Sequence, residues 1–152
     1  ATTRAVAEHV IALVFALARS IPAADASLKS GLWHKQDFTG VEILDKTLGI
    51  IGLGNIGSKV AELALAIGMQ VVGYDPLIPE AEITRRGAHP VDFQVLLSQS
   101  DFISIHVPLS AETRGFFSGE ALGAIPASLQ PRTSALKLSN RKPVHRLISQ
   151  MR

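Results

Sequence analysis

An α/β fold, a doubly wound parallel sheet with helices on both faces, is predicted by three observations in this 152-residue chain. Short apolar runs of strand length alternate with segments of helical spacing. Glycine, proline and aspartate punctuate the junctions between them. The stretch GIIGLGNIG at 49–57 joins a strand-like run to a helix-like one through three spaced glycines. Buried strands that alternate with helices are joined by right-handed crossovers, which makes the sheet parallel.

Residues 3–21, TRAVAEHVIALVFALARSI, predict a helix rich in Ala and Leu, closed by Pro22 because the residue before a proline avoids the helical region. From Val10 to Ala18 its apolar positions go all the way round, which predicts burial on more than one side, either as a plain core helix or against its own domain and a second subunit together. AADASLKSG at 23–31 predicts a short helix, followed by an irregular segment with Trp33, His34 and Phe38. KTLGIIG at 46–52 is a strand, and residues 55–68 are a helix with Ile56, Val60, Leu63, Ala64 and Ile67 on its spacing and Gly68 at its end. MQVVGYD at 69–75 is the second strand, PEAEITRRG at 79–87 a short helix, and AHPV at 88–91 a weak third strand. DFQVLLSQS at 92–100 reads as a helix capped by Asp92. DFISIHVP at 101–108 is a further strand, and SGEALGAI at 118–125 begins another helix.

Composition bounds the functions open to such a fold. There is no cysteine, which excludes disulfides and thiolate metal sites, and no metal site is expected. The net charge of +2 hides a split. Residues 1–125 carry nine Lys/Arg against all thirteen Asp/Glu, a net −4, whereas residues 126–152 carry six basic residues and no acid, a net +6. Two regions are therefore expected: an α/β domain at 1–125, with an N-terminal helical segment at 3–45, and a basic tail at 126–152. The tail lacks interleaved aromatics or a recognised motif, so no nucleic-acid partner is expected. VIALVFALA after Arg4, with Ala24 and Ala26 beyond it, imitates a secretory signal, but Glu8 and His9 interrupt its front and Arg19 ends it. It is too short to cross a bilayer, so a cytoplasmic protein without membrane contact is expected.

The glycines at 52–57 suit an anionic ligand. Gly52 permits the tight turn from strand to helix, Gly54 lets a phosphate approach the backbone, and Gly57 lets the helix lie close to the strand. The N-terminus of the following helix presents unbonded N–H groups, which favours an anion by about 0.3–1 kcal/mol. The spacing alone is weak, but here the second strand ends in an acid, Asp75, eighteen residues beyond Gly57. A carboxylate there can accept the two hydroxyls of an adenosine ribose. It would repel a 2′-phosphate by about 4 kcal/mol per unit charge at about 4 Å and an effective dielectric of about 20. No Lys or Arg follows within four residues, so NAD is favoured over NADP.

From TRAVAEH through KTLGIIGLGNIGSKVAELALAIGMQVVGYDP to SDFISIHVPLSAETRGFFSGEAL, residues 3–122 resemble the NAD-binding, Rossmann-type domain of the D-isomer-specific 2-hydroxyacid dehydrogenases, closest to the 3-phosphoglycerate dehydrogenase branch. The resemblance implies that Asn55 and Ile56 lend backbone N–H groups to the pyrophosphate and that Asp75 takes the ribose. It also implies that Val107 and Pro108 line the adenosine side, and that the first long helix packs across a homodimer. His106 is then a framework residue of the pocket.

After the EAL helix the family continues with an apolar strand ending in arginine and glycine, the arginine binding the substrate carboxylate. A glutamate and a histidine follow much later. Here GAIPASLQPRTSALKLSNRKPVHRLISQMR shows no match to that strand, and no acid follows Glu120. Arg132 and His145 have the right chemistry in the wrong setting, so no catalytic residue is assigned. A truncated or frameshifted product, or a fragment, is the expectation, with the tail disordered or with TSALKLS at 133–139 added as an edge strand to an incomplete sheet. The function implied is hydride transfer between NAD and a small D-2-hydroxy acid by the intact family member; the alternative is a non-catalytic nucleotide-binding or dimerising module.

Overall fold

The computed structural model describes residues 2–108 and the backbone of a strand at 146–149. The expected helix at 118–125 and the expected edge strand at 133–139 lie outside the described residues. Five parallel strands form one sheet: β1 (Thr47–Ile51), β2 (Gln70–Tyr74), β3 (His89–Pro90), β4 (Phe102–Ile105) and β5 (Arg146–Ser149). Their order across the sheet is β3-β2-β1-β4-β5. The chain winds outward from β1 through β2 to β3, then crosses back to lay β4 on the other side of β1. The order of winding reverses between β1 and β4, and ligands of such sheets collect at that reversal, beyond the carboxyl ends of the strands.

Burial on both faces explains the nearly continuous apolar runs of β1 and β4. Leu48, Ile50, Val71 and Phe102 point to one face, where they meet Val60, Ala61 and Ala64 of α3 (Asn55–Ala66) and Ala7, Val10, Val14 and Ala18 of α1 (Thr3–Ala18). Ile51, Val72, Ile103 and Ile105 point to the other, against Leu96 and Leu97 of α5 (Phe93–Gln99). The period-two alternation of the strands thus feeds two separate cores.

Two expectations about helix ends need correcting. α1 stops at Ala18, and Ser20 takes left-handed backbone angles (φ 53°, ψ 34°) before α2 (Ile21–Lys29) begins. Pro22 therefore opens the second helix instead of closing the first, because a first-turn N–H would be unbonded in any case. Asp92 does occupy the N-cap position of α5, but its side chain makes no capping hydrogen bond. α4 (Glu80–Arg85) matches the short helix expected between β2 and β3. Among the described residues no single helix is long and apolar enough to cross a membrane; α1 and α2 form a pair bent by 66°.

The tail also departs from expectation. Residues 146–149 are a strand rather than disordered chain, pairing in parallel with β4 from Phe102↔Arg146 to Ile105↔Ser149. β4 is an apolar strand with β1 on one side only, and its free backbone donors and acceptors are satisfied by this neighbour.

Candidate functional site

β1 ends at Ile51 and the chain enters its turn at Gly52, whose backbone is left-handed (φ 85°). A side chain there would be strained, and a Cβ would lie 2.8 Å from the His106 carbonyl oxygen and 2.9 Å from Val107 Cγ1. Glycine is required by both the backbone angle and the neighbouring chain. Gly52 N–H donates to the Tyr74 carbonyl at 2.9 Å, and His106 N–H donates to the Ile51 carbonyl at 2.8 Å. The turn is thereby laced to the ends of β2 and β4, the strands on either side of β1.

Gly57 is needed for a different reason. It lies on the first turn of α3, and a Cβ would stand 2.1 Å from the Gly52 carbonyl oxygen. The helix can start this close to the strand only without a side chain. Between them, Gly54 is the N-cap of α3, is exposed, and has nothing within 4 Å of where a Cβ would point. That open space over a helix N-terminus is the fit a phosphate requires. Asn55 is exposed and Ile56 half-buried on the first turn, with their N–H groups at the free end of the helix.

Asp75 follows β2 and turns its carboxylate to the same loop. Oδ2 accepts from Leu53 N–H at 2.9 Å, and Oδ1 accepts from Leu77 N–H at 3.0 Å. Each carboxylate oxygen has a second lone pair, so the two acceptor positions that a ribose diol needs remain. Val107, half-buried, and Pro108, exposed, follow β4 at the same rim, and Val107 touches the turn at Gly52. Gly52, Gly54, Asn55, Ile56, Gly57, Asp75, Val107 and Pro108 are thus all at the carboxyl end of the sheet, across the β1–β4 reversal.

His106 sits among them, with Nε2 2.8 Å from Ser104 Oγ. Burial pushes its imidazole down to about 4, so it is neutral at pH 7. One ring nitrogen is then a donor and the other an acceptor, which suits a framework group better than a proton shuttle.

Sequence reading missed Arg86. Its Nη1 donates to the Leu53 carbonyl inside the turn, and its Nε donates to Glu82 Oε1 at 2.5 Å. Arg85 donates to the two Glu82 oxygens at 2.7 and 2.6 Å. Hydrogen bonds from Arg85 and Arg86 hold the Glu82 carboxyl down at about 2. Beside this cluster runs a groove of about 520 Å³ between α3 and α4, lined by Asn55, Ser58, Lys59 and Glu62 on one side and Arg85 and Arg86 on the other. Thirty-three residues separate Arg86 from Leu53, so no local pattern announces the contact.

Residues 11–129 match the family described as D-isomer specific 2-hydroxyacid dehydrogenase, NAD binding domain. The D-3-phosphoglycerate dehydrogenase of Synechocystis sp. is 41% identical over 137 residues, which is 90% of this chain and 24% of that protein. The chain thus spans about a quarter of that relative's length. The likeness also runs past residue 122 into the basic tail, because 137 aligned residues of 152 cannot end before it. Among solved structures, the pyruvate reductase of Chlamydomonas reinhardtii superposes with a TM-score of 0.75 at 31% identity, over 84% of this chain and 37% of that one. An acyclic imino acid reductase in complex with NADPH and D-Arg gives a TM-score of 0.71 at 40% identity, over 84% of this chain and 39% of that one.

Proposed function

The chain belongs to the D-isomer-specific 2-hydroxyacid dehydrogenases, through their NAD-binding domain, and on that premise we propose that it holds NAD across the β1–β4 reversal for hydride transfer with a small D-2-hydroxy acid. 3-Phosphoglycerate is the substrate suggested by the Synechocystis relative. The observation that carries the reading is the seat of Asp75: a carboxylate tied to the glycine turn itself, at the end of the strand next to β1. A bound NAD supplies the hydride acceptor, and this chain's residues position it. N–H groups of Asn55 and Ile56 receive the diphosphate in the open space over Gly54. Asp75 takes the adenosine ribose with its remaining lone pairs, while Val107 and Pro108 flank the adenosine.

Asp75 also sets the coenzyme preference. Its charge opposes a 2′-phosphate, so NAD is bound over NADP, in contrast to the relative that was solved with NADPH.

The N-terminal helices support a homodimer. α1 keeps Ile11, Leu13 and Leu17 only partly buried, and beyond it Ile21, Leu28, Leu32 and Trp33 are 50%, 54%, 52% and 77% exposed. Covering these apolar groups against a second copy is the physical ground for the homodimer, and a cytoplasmic setting is part of the same proposal.

Titration calorimetry with NADH and NADPH tests the reading. NADH is expected to bind, and NADPH at least tenfold more weakly. A chain that melts cooperatively yet takes up no NADH at millimolar concentration sinks the proposal.

A further inference from the structure

The second residue of the glycine turn is held on three sides. The Leu53 side chain is fully buried, and a Cβ on Gly73 would meet its Cδ1 at 2.6 Å. Its N–H is held by Asp75 Oδ2 at 2.9 Å, and its carbonyl accepts from Arg86 Nη1. The carbonyl of residue 53 and the N–H of residue 54 belong to one trans peptide plane, so fixing the first fixes the second, on the opposite side. Gly54 has no side chain to resist rotation of that plane, and a glycine tolerates either orientation. Whatever pins the Leu53 carbonyl therefore decides which way the Gly54 N–H faces.

We infer that Arg86 is a positioning residue for the cofactor's diphosphate: it locks the Leu53–Gly54 peptide so that the Gly54 N–H stays turned to the ligand side. Glu82 holds it in place. Arg86 is the C-cap of α4, with its own N–H bonded to the Glu82 carbonyl at 3.0 Å, so the root of its side chain is fixed by the helix end. The Glu82 carboxylate grips Nε at 2.5 Å and leaves Nη1 aimed at the turn. Both side chains are largely buried, 28% exposed for Arg86 and 23% for Glu82, whereas Arg85, 73% exposed, shields Glu82 from outside. The chain of contacts runs from α4 to the turn without passing through the sheet.

The inference rests on the NAD-binding reading for its ligand, but its geometric part is independent of it. The test compares Arg86→Met, which keeps the stem and loses the donors, with Arg86→Lys, which keeps one. In Arg86→Met the affinity for NADH is expected to fall about tenfold while Tm stays within a few degrees, and Arg86→Lys to recover most of that loss. In the free protein the Gly54 amide signal in a ¹⁵N-correlated spectrum is expected to shift or broaden in Arg86→Met. Glu82→Gln is expected to produce a smaller change of the same kind. NADH affinity unaltered by Arg86→Met, or lost only in step with Tm, would overturn the inference. If the unaltered chain takes up no NADH, the functional reading fails instead, and an unmoved Gly54 amide in Arg86→Met still overturns the lock.

Discussion

Two of the chain's bends, at 52–57 and at 19–21, differ in how they are held. At 52–57 the bend is fixed from every side: Gly52 against the His106 carbonyl, Gly57 against the Gly52 carbonyl, and the Leu53 peptide between Asp75 and Arg86. At 19–21 the bend turns on left-handed Ser20, whose side chain makes no capping hydrogen bond; the segment at 40–41 braces it from one side only, with Val41 N–H donating to the Ala18 carbonyl at 2.8 Å, and apolar groups beyond it stay half exposed. Under the proposed function, the first bend is the one that must hold a ligand in place. The second only has to lead one helix into another.

The contrast can be broken or sharpened by substitution. The largest effect is expected at Gly57, where a methyl group would need backbone to move. Gly57→Ala should cost about 3 kcal/mol or more, and Gly57→Val should abolish cooperative unfolding in a thermal melt followed by circular dichroism. A mild result there would mean the glycine turn is no tighter than the Ser20 bend.

Next comes His106. Its folded value near 4 lies below the ordinary 6.5, so the unfolded chain takes up its proton first as pH falls. Stability is full above pH 6.5 and is lost progressively toward pH 4, by up to about 3 kcal/mol. His106→Gln should flatten that part of the pH profile in urea melts. Glu82 acts lower: its contribution is present above pH 4.5 and is lost toward pH 2. Asp75→Asn keeps an acceptor for Leu53 N–H but loses the charge; NADH affinity should fall about tenfold, about 1.4 kcal/mol, and the preference over NADPH should shrink with it. The smallest change is expected at Ser20. Ser20→Gly relieves a left-handed strain at some cost in chain entropy, for a net gain of under about 1 kcal/mol in Tm-derived stability. A gain confined to this bend, with none at 52–57, would confirm that only one of the two is over-determined.

The same contrast explains what could be read without coordinates. The turn was legible because its demands are local: glycine at 52 and 57, helical spacing after, and an acid at the end of the next strand. The parallel α/β architecture followed from alternation alone. The Ser20 bend was misread because Pro22 fits equally well after a helix or in the first turn of one, and only packing chooses. β5 was missed because RLIS pairs with a strand 44 residues away, and nothing in four residues specifies such a partner. Arg86 was missed for the same reason, its target lying across the fold. Sequence reveals requirements that neighbours impose on one another and hides those met at a distance.

The parallel ladders carry a consequence for the order of assembly. The nearest partners of β1 are 23 residues away in β2 and 54 away in β4, so among the described residues no hairpin exists to act as a seed. Each pairing must wait until a helix has been traversed and a long loop closed, which places refolding in the slow range typical of non-local topologies. β1, central and first in the chain among the strands, becomes secure only when the last of its neighbours arrives. A newly made chain therefore passes through a period in which its central strand is its least protected one.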